Sequence, residues 1–229
     1  VKNNLQVIIS LIHLQTDELP EDERMRKALY KTRDRIMVMG MIHNMLYHKQ
    51  YVSRIRLDEF MRRLAIQLHE MYASASLVAL SFDLSEFYVD VGEAVPLGLI
   101  LNEVLTNSLT HAFPDEREGE VSVFLRPEAG RADGVRPAES QPEAKGGYTI
   151  SVCDNGVGLP EGFSYEDQNS LGFQLIRVLS QQIDVKISVH APVRDDGGFC
   201  GEEKDRDRYG SRRPGGTEVD IICKRPKPL

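Results

Sequence analysis

The segment from Pro96 to Ala112 constrains the fold more than any other. Leu97, Ile100, Leu101, Val104, Leu105 and Leu109 recur at helical spacing and give it a broad apolar side. A side that wide must be buried against other elements. Glu103, Asn107 and His111 follow one another by single helical turns, so they lie along one stripe of the same helix. A carboxylate and an amide one turn apart can work together on a nucleotide. The amide oxygen can ligate Mg²⁺, a hard cation that prefers oxygen, and the carboxylate can orient or deprotonate an attacking group. The same row also fits a solvated polar face, and this helix alone does not separate the two readings.

The first fifty residues read as two helices. Leu5, Ile8, Ile9 and Ile12 recur at helical spacing from Val1 to Thr16. Asp17 to Asp22 interrupts the series, and Pro20 with its acidic neighbours suits the start of the next helix. A second series follows through Met25, Leu29, Ile36, Met39, Ile42, Met45 and Leu46. Such a helical hairpin leaves an apolar stripe exposed. Pairing two hairpins into a four-helix bundle would cover it, and that dimer is the favoured expectation. Docking onto the rest of the chain would serve as well.

Past a short connection near Tyr51 to Arg56, the spacing predicts helices over Leu57–Ala73, Pro96–Ala112 and Leu171–Ile183. It predicts strands over Leu77–Leu84, Tyr88–Val91, Glu120–Leu125, Tyr148–Val152, Val185–Val189 and Thr217–Cys223. The two kinds alternate without the regular repeat of a parallel βαβ array. The expectation is therefore an α+β fold, with a mixed sheet covered on one face by helices. Two polar stretches, Arg126 to Gly147 and Arg194 to Gly216, read as loop insertions, the first as a mobile hairpin loop. The domain division that follows is a helical hairpin over residues 1–52 and a larger unit over 53–229.

Composition narrows the partners. The formal net charge of −7 argues against a broad basic surface for nucleic acid. Cys153, Cys200 and Cys223 show neither metal-ligand spacing nor a disulfide framework, and a reducing cytoplasm is the simplest setting. No apolar run approaches the roughly 20 residues that span a bilayer, so direct membrane insertion is not expected. The chain starts at Val1 rather than Met and reads as a piece of a longer protein, with room upstream for a sensor or membrane segment.

Three further elements carry chemistry. Asp154-Asn155-Gly156-Val157-Gly158 directly follows a strand. The carboxylate can accept from an amine such as that of adenine, and the glycines let the backbone turn and approach a ligand. Strand-ending turns often look like this too. Ser170-Leu171-Gly172 sits at a helix start, where exposed amides suit phosphate, although Ser170 alone reads as an N-cap. Gly215-Gly216-Thr217 opens the last strand. Between the second element and the third, Pro160 to Asn169 has the composition of a lid, and equally of an ordinary loop.

In order and spacing these elements resemble the nucleotide boxes of the GHKL ATPase superfamily, with its two-layer α/β (Bergerat) sandwich, over roughly Leu57 to Cys223. Leu97 to Leu109 resembles the asparagine box, Asp154 to Gly158 the first glycine box and Ser170 to Gly172 the second. Val1-Lys2-Asn3-Asn4-Leu5-Gln6-Val7-Ile8-Ile9-Ser10-Leu11, Pro96 to Glu103 and His111-Ala112-Phe113 resemble the HisKA_2 subgroup of sensor histidine kinases, akin to the HWE kinases.

The resemblance implies ATP and Mg²⁺ as cofactors. It implies Asn107 as the Mg²⁺ ligand, Glu103 as the candidate general base and Asp154 as reader of the adenine amine, with Thr217 nearby. Gly156, Gly158 and Gly172 would frame the adenine pocket and lid, and His111 would lie beside the nucleotide. It further implies transfer of the γ-phosphoryl group to a histidine, then to an aspartate of a response-regulator receiver domain, with a homodimer formed through the amino-terminal helices. In the subgroup's pattern the acceptor histidine falls just before Val1, so this fragment is expected to bind ATP without phosphorylating itself. His13, His43 and His48 lack the acceptor's surroundings. Thr110 stands where relatives often carry a lysine that reaches phosphate, and Ser170 where many carry glycine. A nucleotide-responsive or inactive scaffold that binds a signalling partner is the alternative reading. Another ATPase of the superfamily fits the amino-terminal hairpin poorly.

Overall fold

The computed structural model describes residues 23–47, 54–72, 77–115, 117–128, 146–190 and 216–224. The helix expected over Val1–Thr16, the middle of the first insertion and all of the second but Gly216 lie outside them. Helix α1 spans Glu23–Tyr47, the expected second helix of the hairpin. Strand β1, Arg54–Arg56, falls inside the stretch that the sequence suggested was a connection. Three residues are too few for an alternation to register. Helix α2, Leu57–Tyr72, opens with Asp58 and Glu59 at its positive end and buries Phe60, Met61, Leu64, Ala65 and Leu68. Strands β2 (Val78–Leu84) and β3 (Tyr88–Asp90) follow, and β3 pairs antiparallel with β1 through Ile55 and Val89.

Helix α3 runs from Val91 to His111, starting five residues before the expected Pro96, which therefore sits inside it. A proline there costs the hydrogen bond to the carbonyl one turn back. That carbonyl belongs to Gly92, which is exposed and so open to water. The remaining elements are β4 (Gly119–Pro127), β5 (Tyr148–Asp154), α4 (Leu171–Gln182), β6 (Val185–His190) and β7 (Thr217–Cys223). Arg126, expected to begin an insertion, instead pairs with Thr149 as β4 runs on to Pro127.

The main sheet has the order β2-β4-β5-β7-β6. The β2–β4 pair is parallel and the other three pairs are antiparallel, so the sheet is mixed, as expected. Along β5 the buried Tyr148, Ile150 and Val152 alternate, and across β7 they meet Cys223, Ile221 and Val219. This face is covered by helices: α2 packs at β2, α3 at β5 and α4 at β6. The opposite face carries hydrogen-bonded polar side chains, Ser81 with Ser122 at 2.8 Å and Ser151 with Asp220. One apolar face and one polar face make a two-layer α+β sandwich.

α1 docks onto this sandwich through α2 and α3. Val38 is fully buried, and a Cβ placed at Gly98 of α3 would come within 2.9 Å of its Cγ1 and 2.6 Å of Phe60 Cζ. Beside it Asp34 is fully buried, receiving Arg33 Nη2 at 2.8 Å and the Tyr72 hydroxyl. A carboxylate can stay so deep only when its oxygens are met by donors and a cation. The same pairing, added to burial, pushes the Tyr72 hydroxyl well above its ordinary range. Docking onto the chain thus covers the Val38 and Asp34 side of α1.

Candidate functional site

Strand parity places Asp154. It ends β5 on the face of Tyr148, Ile150 and Val152, so the alternation that buries those three also turns its carboxylate under the helices. There it is 3% exposed. Ser108 of α3 donates to Oδ2 at 3.0 Å. The backbone amides of Gly156 and Thr217 each donate to Oδ1 at 3.1 Å. Burial pushes the Asp154 carboxyl above its ordinary value, and these three hydrogen bonds oppose the rise. Two carboxylate oxygens offer about four acceptor positions, so Asp154 keeps room for one further donor.

The glycines fix the loop around it. A Cβ at Gly156 would collide with the carbonyl of Ala112, just past the end of α3, and the next amide, Val157, donates to that carbonyl at 2.9 Å. Gly158 has φ 80° and Gly216 φ 122°, both in the region that L side chains avoid, and a Cβ at Gly216 would meet the carbonyl of Asp154. The first glycine element, the start of β7 and the end of α3 therefore converge on one carboxylate. Asn155 completes the turn, its Oδ1 accepting the Glu120 amide at 2.8 Å.

Glu103 lies on α3 upstream of Ser108 and is 2% exposed. Its Oε1 accepts Arg35 Nε of α1 at 2.8 Å. Its Oε2 lies 2.5 Å from where a Cβ of Gly172 would be, at the start of α4. Glycine at 172 is thus what lets α4 begin against that carboxylate. Asn107 is half-buried between Glu103 and Ser108, and His111 is exposed in the last turn. Ser170 occupies the N-cap of α4 but its hydroxyl makes no capping bond. The segment 160–169 folds back on α4: the rings of Tyr165 and Phe173 are 5.8 Å apart, and those of Phe163 and Phe173 are 6.0 Å apart. Thr110, exposed, donates its hydroxyl to the Thr106 carbonyl at 2.6 Å.

The structure therefore gathers Asp154, Gly156, Gly158 and Thr217 at the end of α3, and Glu103 and Gly172 further up the same helix. Asn107 lies between, and His111 is at the rim. Sequence reasoning missed Ser108, Gly216 as the contact to the Asp154 backbone, and Arg35. Gly216 had a signal, the Gly-Gly pair before Thr217. Ser108 and Arg35 had none. One sequence reading is corrected: Cys153, beside Asp154, is disulfide-bonded, whereas no pairing was expected. Cys223 is buried. Among the described residues no group of three or more His, Cys, Asp or Glu side chains could hold a metal ion, and no helix is long and apolar enough to cross a membrane.

Residues 1–72 match the family model HisKA_2, described as histidine kinase. A sensor histidine kinase, PdtaS, from Mycobacterium tuberculosis is 28% identical over 186 residues, 80% of this chain and 34% of that protein. The chain is thus similar to histidine kinases in sequence, through its first 72 residues and through this relative. A second relative, the blue-light-activated histidine kinase 2 of Erythrobacter litoralis, is 24% identical over 190 residues, 82% of this chain and 50% of its own length. The chain spans between about a third and a half of these relatives' length. The solved histidine kinase domain of an Erythrobacter litoralis blue-light activated kinase shares its fold, with a TM-score of 0.62 at 21% identity over 98% of this chain and 87% of that one.

Proposed function

We propose that the chain is the catalytic core of a two-component sensor kinase, which binds ATP with Mg²⁺ and passes the γ-phosphoryl group to a histidine upstream of Val1, and thence to a receiver-domain aspartate. The observation that carries the reading is Asp154: a buried carboxylate held by three donors, with one acceptor position to spare, inside a loop where glycine backbone leaves space. That combination suits the exocyclic amine of a purine, because a fixed acceptor in a dry site discriminates strongly for a donor.

The residues fit the cofactor along α3. Asp154 and Thr217 would hold the adenine end, and Gly156 and Gly158 would admit it without side chains in the way. Asn107 would offer its amide oxygen to Mg²⁺, which when bound supplies charge neutralisation on the phosphates. Glu103 would orient the attacking imidazole or accept its proton, and needs to reach that group to do so. Gly172 would keep the start of α4 open to phosphate oxygens, where amides and helix dipole favour anions. His111, at the rim, would flank the nucleotide. The larger unit over residues 53–229 would carry this site and residues 1–52 the phosphotransfer and dimerisation helices, in a cytoplasmic setting, with a sensor domain upstream.

Calorimetry with ATP and Mg²⁺ tests the reading on the parent chain, Asp154→Asn and Asn107→Ala. Asparagine at 154 can still accept the Gly156 and Thr217 amides at one atom but turns an NH₂ toward the adenine amine, setting donor against donor. Saturable binding by the parent, lost or sharply weakened in both variants, is expected. A well-folded parent that binds no ATP would sink the reading and leave a scaffold that engages its partner without nucleotide.

A further inference from the structure

Arg35 is an outsider in this site. It comes from α1, far upstream of the sandwich, yet its Nε lies 2.8 Å from Oε1 of Glu103, with both side chains largely buried at 16% and 3% exposure. Its Nη2 is buried and has no hydrogen-bond partner among the described residues. A guanidinium carries five N–H donors, and leaving one nitrogen unmet in a dry interface is costly. Two acceptors on the adjoining turns of α3, Asn102 Oδ1 and Thr106 Oγ1, are buried and unmet as well. An arginine with a spare donor, paired to a helix that carries spare acceptors, has more than one place to go.

The charges around the site make the point sharper. Apart from Arg35, its buried side chains with formal charge, Glu103 and Asp154, are both acidic. Thr110 brings no cation, since it is neutral and its hydroxyl is turned back on its own helix. A polyphosphate entering beside Glu103 would meet an uncompensated carboxylate if Arg35 were absent.

From this we infer that Arg35 is a positioning residue of the nucleotide site, delivered by α1: it neutralises Glu103 against the triphosphate and keeps its second nitrogen for a phosphate oxygen or for the Asn102 and Thr106 acceptors. The inference rests on the ATP reading of the site. It makes nucleotide affinity depend on α1 being docked, and by reciprocity a bound nucleotide holds α1 down. α1 is anchored independently of Arg35, by Asp34 with Tyr72 and by Val38 against Gly98, so removal of the guanidinium need not undock the helix.

The experiment is calorimetric titration of the whole chain with ATP and Mg²⁺, comparing the parent with Arg35→Met, Arg35→Lys, Asn107→Ala and the double variant Arg35→Met with Glu103→Gln. Thermal melts show that each is folded. Arg35→Met is expected to weaken binding at least ~10-fold and Arg35→Lys less than ~3-fold, because the lysine keeps the charge. Adding Glu103→Gln to Arg35→Met should recover most of the loss by removing the unpaired carboxylate. A purely structural role for Arg35 would give no such recovery. Amide exchange over residues 29–41 should slow when ATP and Mg²⁺ are added to the parent and change little in Arg35→Met. If Arg35→Met binds like the parent while Asn107→Ala does not, the inference is overturned and the site reading stands. If the folded parent does not bind ATP, both fall together. Should Arg35→Met fail to fold, Arg35→Lys against the double variant decides: recovery in the double variant supports the inference, and weakness in both overturns it.

Discussion

Ser108→Ala tests the electrostatics of the site most directly, because it removes one donor from a buried carboxylate and leaves the backbone alone. Ser108 is 8% exposed and its hydroxyl lies 3.0 Å from Asp154 Oδ2. A hydrogen bond to a charged group contributes about 1.5–3 kcal/mol, and one between neutral groups about 0.5–1.5. The cost of the substitution should therefore depend on whether Asp154 is ionised. The sign follows from the direction of its shift. Burial raises the folded-state value above the unfolded one. The stability this group contributes is thus fully present below the ordinary carboxylate range and is lost as pH rises through the raised value. Removing the Ser108 donor, which opposes the rise, lifts the value further and steepens that loss. The expected destabilisation is about 1.5–3 kcal/mol above the raised Asp154 value, shrinking to about 0.5–1.5 kcal/mol below it, where Asp154 is protonated. Urea unfolding followed by circular dichroism across a pH series reads both limits. Ser180→Ala is the control: Ser180 is also buried in a helix, but its hydroxyl donates at 3.0 Å to the neutral Arg177 carbonyl, so its cost should be flat with pH. A Ser108→Ala penalty equally flat would refute the view that the serine serves an ionised carboxylate.

Three more outcomes follow from the same geometry. Asp154→Asn, expected to lose ATP binding, should melt no lower than the parent at neutral pH, because the fold disfavours the charge that the substitution removes; a clear drop in melting temperature would contradict the direction of the shift. Gly98→Ala should cost about 1–3 kcal/mol in denaturant unfolding, since its new methyl would sit 2.6 Å from Phe60 Cζ and 2.9 Å from Val38 Cγ1, both fully buried and with nowhere to retreat. Amide exchange should show that loss concentrated in α1, and an unchanged α1 would count against the docking described. Gly216→Ala adds a side chain at φ 122° and drives it onto the Asp154 carbonyl, so ATP affinity should fall by more than ~10-fold, a strain of more than ~1.4 kcal/mol transmitted to the site. Binding within twofold of the parent would show that the loop can shift freely.

What the sequence disclosed and what it withheld divide along one physical line. Periodicity is local, so α2, α4 and the strands of the main sheet appear within a residue or two of their observed ends. The strand expected from Tyr148 stops at Val152, and only its observed run to Asp154 turns that carboxylate onto the face of Tyr148, Ile150 and Val152. The early start of α3 at Val91 escaped notice because Pro96 looks like a first-turn residue, and the exposed Gly92 that makes an interior proline tolerable carries no pattern. β1 is too short to alternate, and its pairing with β3 is a tertiary choice. Arg35 was illegible for a deeper reason. Nothing in a sequence of helical stripes says which cation on α1 meets which carboxylate on α3, since that match is set by Val38 against Gly98 and by Asp34 against Tyr72. Those contacts fix the register of α1, and the register then chooses Arg35. The motif residues of the site sit on the sandwich and can be recognised there one by one. The charge that balances Glu103 belongs to α1, and it reaches the site only when that helix is docked.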